Sequence, residues 1–425
     1  MKIFRSNTRF SIATLLSGSV LAQLIVLLAY PVVTRLFSPQ DFGLFNVFYS
    51  YIEVLIILST CKYELAIPMA DDDIEAKAVT RLALAINTLV SVALLLVITL
   101  LLVFNALPGE SNALGCIALL IPFMVFFSGT SRIYSFLFNR YKQFHPIAAS
   151  DVVCASSGSL LKIALGVLAS LWSVLSQWGL PLATVLGQAA ANVNYLVRMR
   201  KLPTHGLRNP DGASLKRVAR KFVNFPCFTA PKDFVSSFSY NLPFLWLAAY
   251  FDKAEVGLFA LALTFTFRPA NIVNTAMERV LYVRTVERVR NHQPVMRDLA
   301  RFVGYINLVA VPVCLLLFFF AEPLFGFFFG DRWSGCGYYV RCLIPWTFVV
   351  LTASSLSFIP NIFSTQGKEF VFYLVLLVLR IVALWVGIVQ QDFQLAILLF
   401  SIAGAVVSLL LTVWYFWQVY ARCEH

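Results

Sequence analysis

Charge is what this sequence lacks. Asp, Glu, Lys and Arg together make up 13% of its 425 residues, against 60% hydrophobic, where a soluble domain carries about 25% charged residues. A chain this apolar, with mean hydropathy +0.79, cannot cover a surface in water, so lipid is the solvent that fits it. Histidine is scarcer still: His145, His205, His292 and His425 stand far apart. The eight cysteines are scattered, mostly through apolar runs, and none forms a C-x-x-C pair. This excludes a recognisable zinc site and a disulfide framework. It leaves Cys336 and Cys342, near an expected outer loop, as a candidate pair. No G-x-x-x-x-G-K-[ST] loop is present, so this chain alone is not expected to pump with ATP. No cofactor and no metal are expected. No cleavable signal peptide is expected either, since the first apolar run, from Ile12, is long enough to span.

What is present is continuous apolar sequence, such as L-V-S-V-A-L-L-L-V-I-T-L-L-L-V-F. Barrel strands would alternate apolar and polar residues; unbroken runs mean helices. Twelve runs approach or exceed the roughly 20 residues a helix needs to cross a bilayer. They fall at 12–33, 42–61, 80–104, 113–138, 147–171, 175–198, 224–250, 256–280, 302–321, 338–363, 369–389 and 393–418. The fold class expected is an all-α polytopic membrane protein of 12 transmembrane helices in two six-helix lobes. The lobes are expected at residues 1–198 and 223–425, joined by a basic cytoplasmic linker at 199–222.

The formal net charge of +12 is explained by topology rather than by nucleic acid. Lys and Arg crowd the loops on one side, as in R-M-R-K, K-R-V-A-R-K and R-T-V-E-R-V-R, while the other side holds only Arg35, Lys253, Arg332 and Arg341. The positive-inside rule then places both termini in the cytoplasm.

The halves echo each other. Phe42 opens the second span, and Val256, about half the chain later, opens the eighth. Glu64 and Glu278 follow at matching offsets, and the fourth and tenth spans both begin near Ile-Pro. Six plus six helices in one orientation make a parallel repeat, an architecture that transporters use.

Eight charges fall inside apolar spans: Arg132, Lys162, Lys232, Arg268, Arg380, Glu53, Asp151 and Asp233. Each costs about 2.5–3.5 kcal/mol at mid-bilayer on insertion scales, so they are expected to face a wet cavity or one another. Snorkelling or local ion pairing is the plainer reading, strongest for Lys232 and Asp233 near the inner end. Arg132, Arg268 and Arg380 have apolar sequence on both sides, and the guanidinium fork suits phosphate. They are the candidate substrate-binding residues, with Lys162 beside them; Glu53, Asp151 and Asp233 are candidates for ion coupling. Basic residues outnumber acids here, which points to an anionic substrate. Prolines interrupt many spans, and each removes a helical hydrogen bond. Asp71-Asp72-Asp73 reads as a solvated loop, not a metal site.

R-L-F-S-P-Q-D-F-G-L-F, from Arg35 to Phe45, resembles the R-L-[YF]-[ST]-P-x-D-[FY]-G signature of the Wzx-type polysaccharide flippases, which belong with the MATE exporters to the MOP superfamily. K-Y-E-L-A-I-P-M-A-D-D-D-I-E-A, from Lys62 to Ala76, is similar to that group's second block. G-D-R-W-S-G-C-G-Y-Y, from Gly330 to Tyr339, resembles its G-x-x-W-x-x-A block, with Cys336 where alanine is usual. The resemblance covers essentially the whole chain. It implies a flippase that carries an undecaprenyl-pyrophosphate-linked oligosaccharide, an O-antigen or other surface polysaccharide repeat unit, from the cytoplasmic to the periplasmic face of the inner membrane. Alternating access coupled to an ion gradient would drive it. A polysaccharide polymerase and a chain-length regulator are the implied partners, besides membrane lipid and the lipid-linked substrate. In the corner itself, Pro39 and Gly43 are expected to set the turn. Two rivals stand: a MATE-like small-molecule exporter using Asp151 or Glu53, and a membrane glycan polymerase, which the short outer loops disfavour.

Overall fold

The L-F-S-P-Q-D corner shows how local chemistry sets the helices. Ser38 caps the helix that follows it: its hydroxyl accepts from the Asp41 backbone N–H while the Asp41 carboxylate accepts from the Ser38 N–H at 2.9 Å. This reciprocal capping box satisfies two donors that a helix start leaves open. Pro39 occupies the first turn, where a missing N–H costs nothing. Gly43 is not part of the turn; it lies buried inside the helix. Phe37, 2% exposed, fills the space beside Gly166 and Gly179, where an added Cβ would come within 2.8–2.9 Å of its ring.

The computed structural model describes residues 2–104, 114–172, 174–200, 202, 211–290, 295–363 and 365–423. Among them every regular element is helical. Among the described residues, twelve long helices overlap the apolar runs. They are α1 (Lys2–Leu36), α2 (Pro39–Thr60), α3 (Asp73–Val103), α4 (Leu120–Arg140), α5 (Phe144–Ala169), α6 (Val174–Met199), α7 (Ala230–Trp246), α8 (Lys253–Arg290), α9 (Met296–Phe329), α10 (Cys336–Ser355), α11 (Gln366–Val389) and α12 (Phe393–Cys423). Among the described residues, nine of them hold a stretch long and apolar enough to cross a membrane. Of the other three, α6 is diluted by polar side chains, α7 is short and is extended by a π turn at Phe225–Thr229 and a 3-10 turn at Leu247–Ala249, and many side chains of α8 lie outside the described residues.

One expected span changes. The run 338–363 breaks after Ser355 and resumes as the short helix Ile359–Phe363, with Pro360 in its first turn, where no helical N–H bond is lost. Cys336 and Cys342 are both buried free thiols on α10. Much of the expected linker, residues 201 and 203–210, lies outside the described residues, as does the side chain of Glu278.

The chain forms two compact units, Met1–Asn241 and Leu242–His425. The boundary falls within α7, downstream of the basic segment 199–222. In the first unit, Tyr63, Ala66 and Ile67 of the Y-E-L-A-I block pack with Val79, Ile133 and Phe138. The amphipathic helix Gly212–Lys221 adds Val218 to the same cluster. In the second unit, Trp333 of the G-D-R-W block is wholly buried, and so is Cys336. Leucine, valine and phenylalanine remain exposed along α3 and α9. In water this would be a liability; facing lipid it is what the composition requires.

Candidate functional site

Four helices of the first unit turn polar side chains into one cavity of about 300 Å³. Each contributes positions at helical spacing: Tyr49, Ile52, Glu53 and Ile56 from α2; Ser128, Ser131, Arg132 and Ser135 from α4; Ser150, Asp151 and Cys154 from α5; Gln188, Ala191 and Tyr195 from α6. Spacings of three and four residues put such sets on one face of a helix. The cavity therefore brings together three of the charges singled out from the sequence: Arg132, Glu53 and Asp151.

All three sit at one level. Glu53 is seven residues from the end of α2, Arg132 eight from the end of α4, and Asp151 seven from the start of α5. At 1.5 Å per residue that is about 10–12 Å from the helix ends. These ends belong to the same side of the unit, because Arg140 Nη1 donates to the Ile67 and Ala70 carbonyls at 3.3 and 2.6 Å. The floor is held by polar contacts. Gln188 Nε2 donates to Ser131 Oγ at 2.8 Å, Cys154 Sγ donates to Gln188 Oε1 at 3.2 Å, and Asn194 Nδ2 donates to Ser150 Oγ at 2.8 Å. Ser19 on α1 donates to Asp151 Oδ2 at 2.9 Å. Among the described residues, Arg132 makes no ion pair with Glu53 or Asp151. One guanidinium and two carboxylates share a small polar chamber, so each acts on whatever enters it.

The other candidates lie elsewhere. Lys162 stands over the Phe45 ring, 5.0 Å from its centroid, in a small pocket with Tyr30, Phe42 and Ser159. Asp151 and Lys162 lie on one helix but serve different pockets. Asp233 forms an ion pair with Lys62 at 2.8 Å. In the second unit Arg268 is exposed on α8. Arg380 is buried there, its guanidinium 4.4 Å from the Trp346 ring centroid and 4.2 Å from that of Phe400.

The triple aspartate is not simply solvated. Asp72 caps α3 by accepting from the Glu75 N–H at 2.7 Å. Asp73 accepts from Tyr141 Oη at 2.8 Å. Asp71 accepts from Lys221 Nζ at 2.8 Å, and Glu75 takes the same ammonium at 2.6 Å. The loop thus fastens the helix Gly212–Lys221 to the start of α3. Among the described residues no cluster suits a metal ion.

The uncharged members of the cavity were missed from the sequence. Their signal was there: Ser128, Ser131 and Ser135 frame Arg132 at the helical period. A serine in an apolar span is common, and only the shared face gives it meaning.

The family described as "Polysaccharide biosynthesis protein" matches residues 32–337, which takes in every cavity residue. The chain belongs to the polysaccharide biosynthesis protein family. A relative outside the solved structures is the succinoglycan biosynthesis transport protein ExoT of Rhizobium meliloti (strain 1021). It is 22% identical over 308 residues, 72% of this chain and 59% of that protein, so the match spans little more than half of that relative's length. Among solved structures, a multidrug resistance MATE transporter of the MOP superfamily in its inward-facing conformation aligns with a TM-score of 0.75 at 13% identity, covering 95% of this chain and 96% of that one. The lipid II flippase MurJ in an inward closed conformation aligns at 0.71 and 12% identity, covering 97% and 90%. A MOP superfamily transporter from Pyrococcus furiosus, described as reversed in binding-pocket polarity, aligns at 0.63 and 12%, covering 98% and 97%. At such identities the likeness establishes the fold. This member of the polysaccharide biosynthesis protein family is a multi-pass membrane protein with the MOP superfamily fold.

Proposed function

We propose that the protein is a flippase for an undecaprenyl-pyrophosphate-linked oligosaccharide, moving a surface polysaccharide repeat unit such as O-antigen from the cytoplasmic to the periplasmic face of the inner membrane by alternating access. Both termini are then cytoplasmic, and the Arg132 chamber lies about a third of the way across from the cytoplasm. The observation that carries this reading is Arg132 in a polar chamber of a chain from a polysaccharide biosynthesis family. A guanidinium suits phosphate. In the second unit Arg268, exposed on α8, is a further guanidinium suited to an anion, and Lys162 with its aromatic neighbours suits a sugar. Arg380, clasped by two rings, is the weakest of the four candidates for touching substrate. A polymerase and a chain-length regulator would take the product onward.

Glu53 and Asp151 couple transport to an ion gradient in this reading. Each carboxylate repels an anion held at Arg132, and each proton or cation taken up removes that repulsion. Asp233, held by Lys62, contributes to coupling only if that pair opens during the cycle.

The test is translocation of a lipid-linked oligosaccharide by the purified protein in liposomes. Arg132→Ala should abolish it while the protein still inserts and melts as the parent does. Asp151→Asn should leave translocation running but flatten its dependence on an imposed ion gradient. Full activity in an Arg132→Ala, Arg268→Ala double variant would remove the reading. The two carboxylates also favour a second reading, export of a small cationic compound as in MATE transporters. That reading requires drug resistance on overexpression and no accumulation of inward-facing lipid-linked repeat units in a deletion strain.

A further inference from the structure

We propose that a groove between α8, α9 and α10 in the second unit holds the isoprenoid chain of the lipid-linked substrate before translocation begins, with its phosphate at Arg297 and Arg301 at that stage. This rests on the flippase reading and adds a binding site to it. The groove encloses about 790 Å³, within the range of ligand pockets, about 300–1,000 Å³. Its lining positions on α9 run from Phe302 to Leu317, which at 1.5 Å per residue is about 22 Å, most of a hydrocarbon core about 30 Å thick. Ala270 and Ala310, 8% and 7% exposed, form its floor, while Tyr305, Val309 and Val313 stand 66%, 66% and 52% exposed along an open side. Even its two threonines present methyl groups. Thr266 Oγ1 donates to the Ala262 carbonyl at 2.6 Å and Thr347 Oγ1 to the Leu343 carbonyl at 2.9 Å, so both hydroxyls are turned back on their own helices.

One end of this apolar trough is cationic. Tyr305, Val309, Val313 and Leu317 follow one another at four-residue steps, and the same ridge of α9 continues back through Arg301 to Arg297. Both arginines are exposed. The acid between them, Asp298, is already held by Arg288 at 2.7 Å. The groove therefore repeats the pattern of a polyprenyl phosphate: an anion-binding end, then a long dry track. Guanidinium groups at a lipid interface favour phosphate, and only an occupant joining phosphate to a long apolar chain satisfies both parts at once. Ordinary phospholipid has the same two parts but a shorter chain, and is the competitor to exclude.

The experiment is photolabelling of the full chain in nanodiscs of phosphatidylethanolamine and phosphatidylglycerol with a diazirine-bearing undecaprenyl phosphate. The label should fall on the 302–317 stretch of α9 and be displaced by unlabelled undecaprenyl phosphate but not by added phosphatidylglycerol. Ala310→Trp, which fills the floor, should cut labelling at least about five-fold by steric exclusion. Arg297→Glu with Arg301→Glu should raise the concentration for half-labelling about ten-fold or more. If Ala310→Trp fails to fold, Val309→Trp on the exposed lip blocks the same track. Equal labelling by a diazirine phosphatidylglycerol, or unchanged labelling in a normally folded tryptophan variant, overturns the proposal. Selective labelling of a protein that moves no lipid-linked glycan in liposomes would sustain the groove and remove the flippase reading. Glycan movement with unselective labelling would do the reverse.

Discussion

Lys62 Nζ lies 2.8 Å from Asp233 Oδ2, and two consecutive residues are bent into left-handed backbone to put it there. Cys61 has φ 47° and Lys62 φ 61°, a conformation that costs a non-glycine residue roughly 1–2 kcal/mol. The pair joins the end of α2 to the first turn of α7, and the Lys62 side chain is only 12% exposed. It lies between a surface pair worth under about 1 kcal/mol and a fully buried one whose breaking costs about 3–5 kcal/mol. Asp233→Asn should therefore lower stability by about 2 kcal/mol. Lys62→Gly should cost about 1 kcal/mol less than Lys62→Ala, because glycine relieves the backbone while both lose the ion pair. Thermal melting of the three variants in one detergent checks both statements. Equal melting points for the glycine and alanine variants would show that the left-handed turn stores no strain.

The contacts of the acidic segment Asp71–Glu75 with Tyr141 and Lys221 have a predictable pH response. The Tyr141 hydroxyl is pushed up from 10.0 to about 12, by burial first and then by its hydrogen bond to Asp73. The Lys221 ammonium is raised above 10.5, first by its hydrogen bonds to Asp71 and Glu75. Both groups hold their protons more tightly when folded than when unfolded. Their stabilisation is thus complete below pH about 10 and is lost as pH climbs through the folded values. Melting temperature should be insensitive to these two groups between pH 7 and 9 and fall between about pH 10 and 12. Tyr141→Phe with Lys221→Met should flatten that fall. A double variant that follows the parent's alkaline slope would rule these two contacts out as its cause.

How much of this was legible in the sequence depends on distance along the chain. The helices were readable because an apolar run and its proline or capping stop are local facts, as at Ser38–Pro39–Asp41. Charges in those runs were readable as anomalies. Their grouping was not: Glu53, Arg132 and Asp151 share a chamber only because α2, α4 and α5 meet at one level. The same limit hid Arg380, whose apolar flanks suggested an open path but whose neighbours Trp346 and Phe400 come from two other helices. The role of Asp71 was hidden too, because Lys221 lies far off in sequence.

Close helix packing behind the chamber gives an asymmetric prediction. A Cβ added to Gly187 on α6 would come 2.9 Å from Gly158 Cα and 3.1 Å from the Cys154 carbonyl oxygen, both backbone atoms of α5. A Cβ added to Gly158 would find nothing nearer than the Ala183 carbonyl oxygen at 3.9 Å. Small residues let membrane helices approach this closely. Gly187→Ala must push α5 and α6 apart, at about 1–3 kcal/mol. It should also weaken translocation, since Gln188 and Cys154 meet in the chamber wall. Gly158→Ala should be tolerated on both counts. Comparable losses from the two substitutions would contradict this packing.

Arg380 separates two roles that the sequence could not. As a substrate contact, it would tolerate replacement for folding but not for transport. As a clasp, with its guanidinium over the rings of Trp346 of α10 and Phe400 of α12, it would fail in the opposite order. Each cation–ring contact is worth about 0.5–2 kcal/mol, and the single ammonium of lysine cannot spread its charge over both rings as the delocalised guanidinium does. Arg380→Lys should therefore lose about 1–3 kcal/mol of stability. Gly404→Ala supplies the control, because its Cβ would come 2.8 Å from the Trp346 ring and displace that ring without touching the charge. The clasp predicts that both variants melt early and that transport, normalised to folded protein, stays close to the parent's. A normally melting Arg380→Lys with transport lost would return Arg380 to the substrate path.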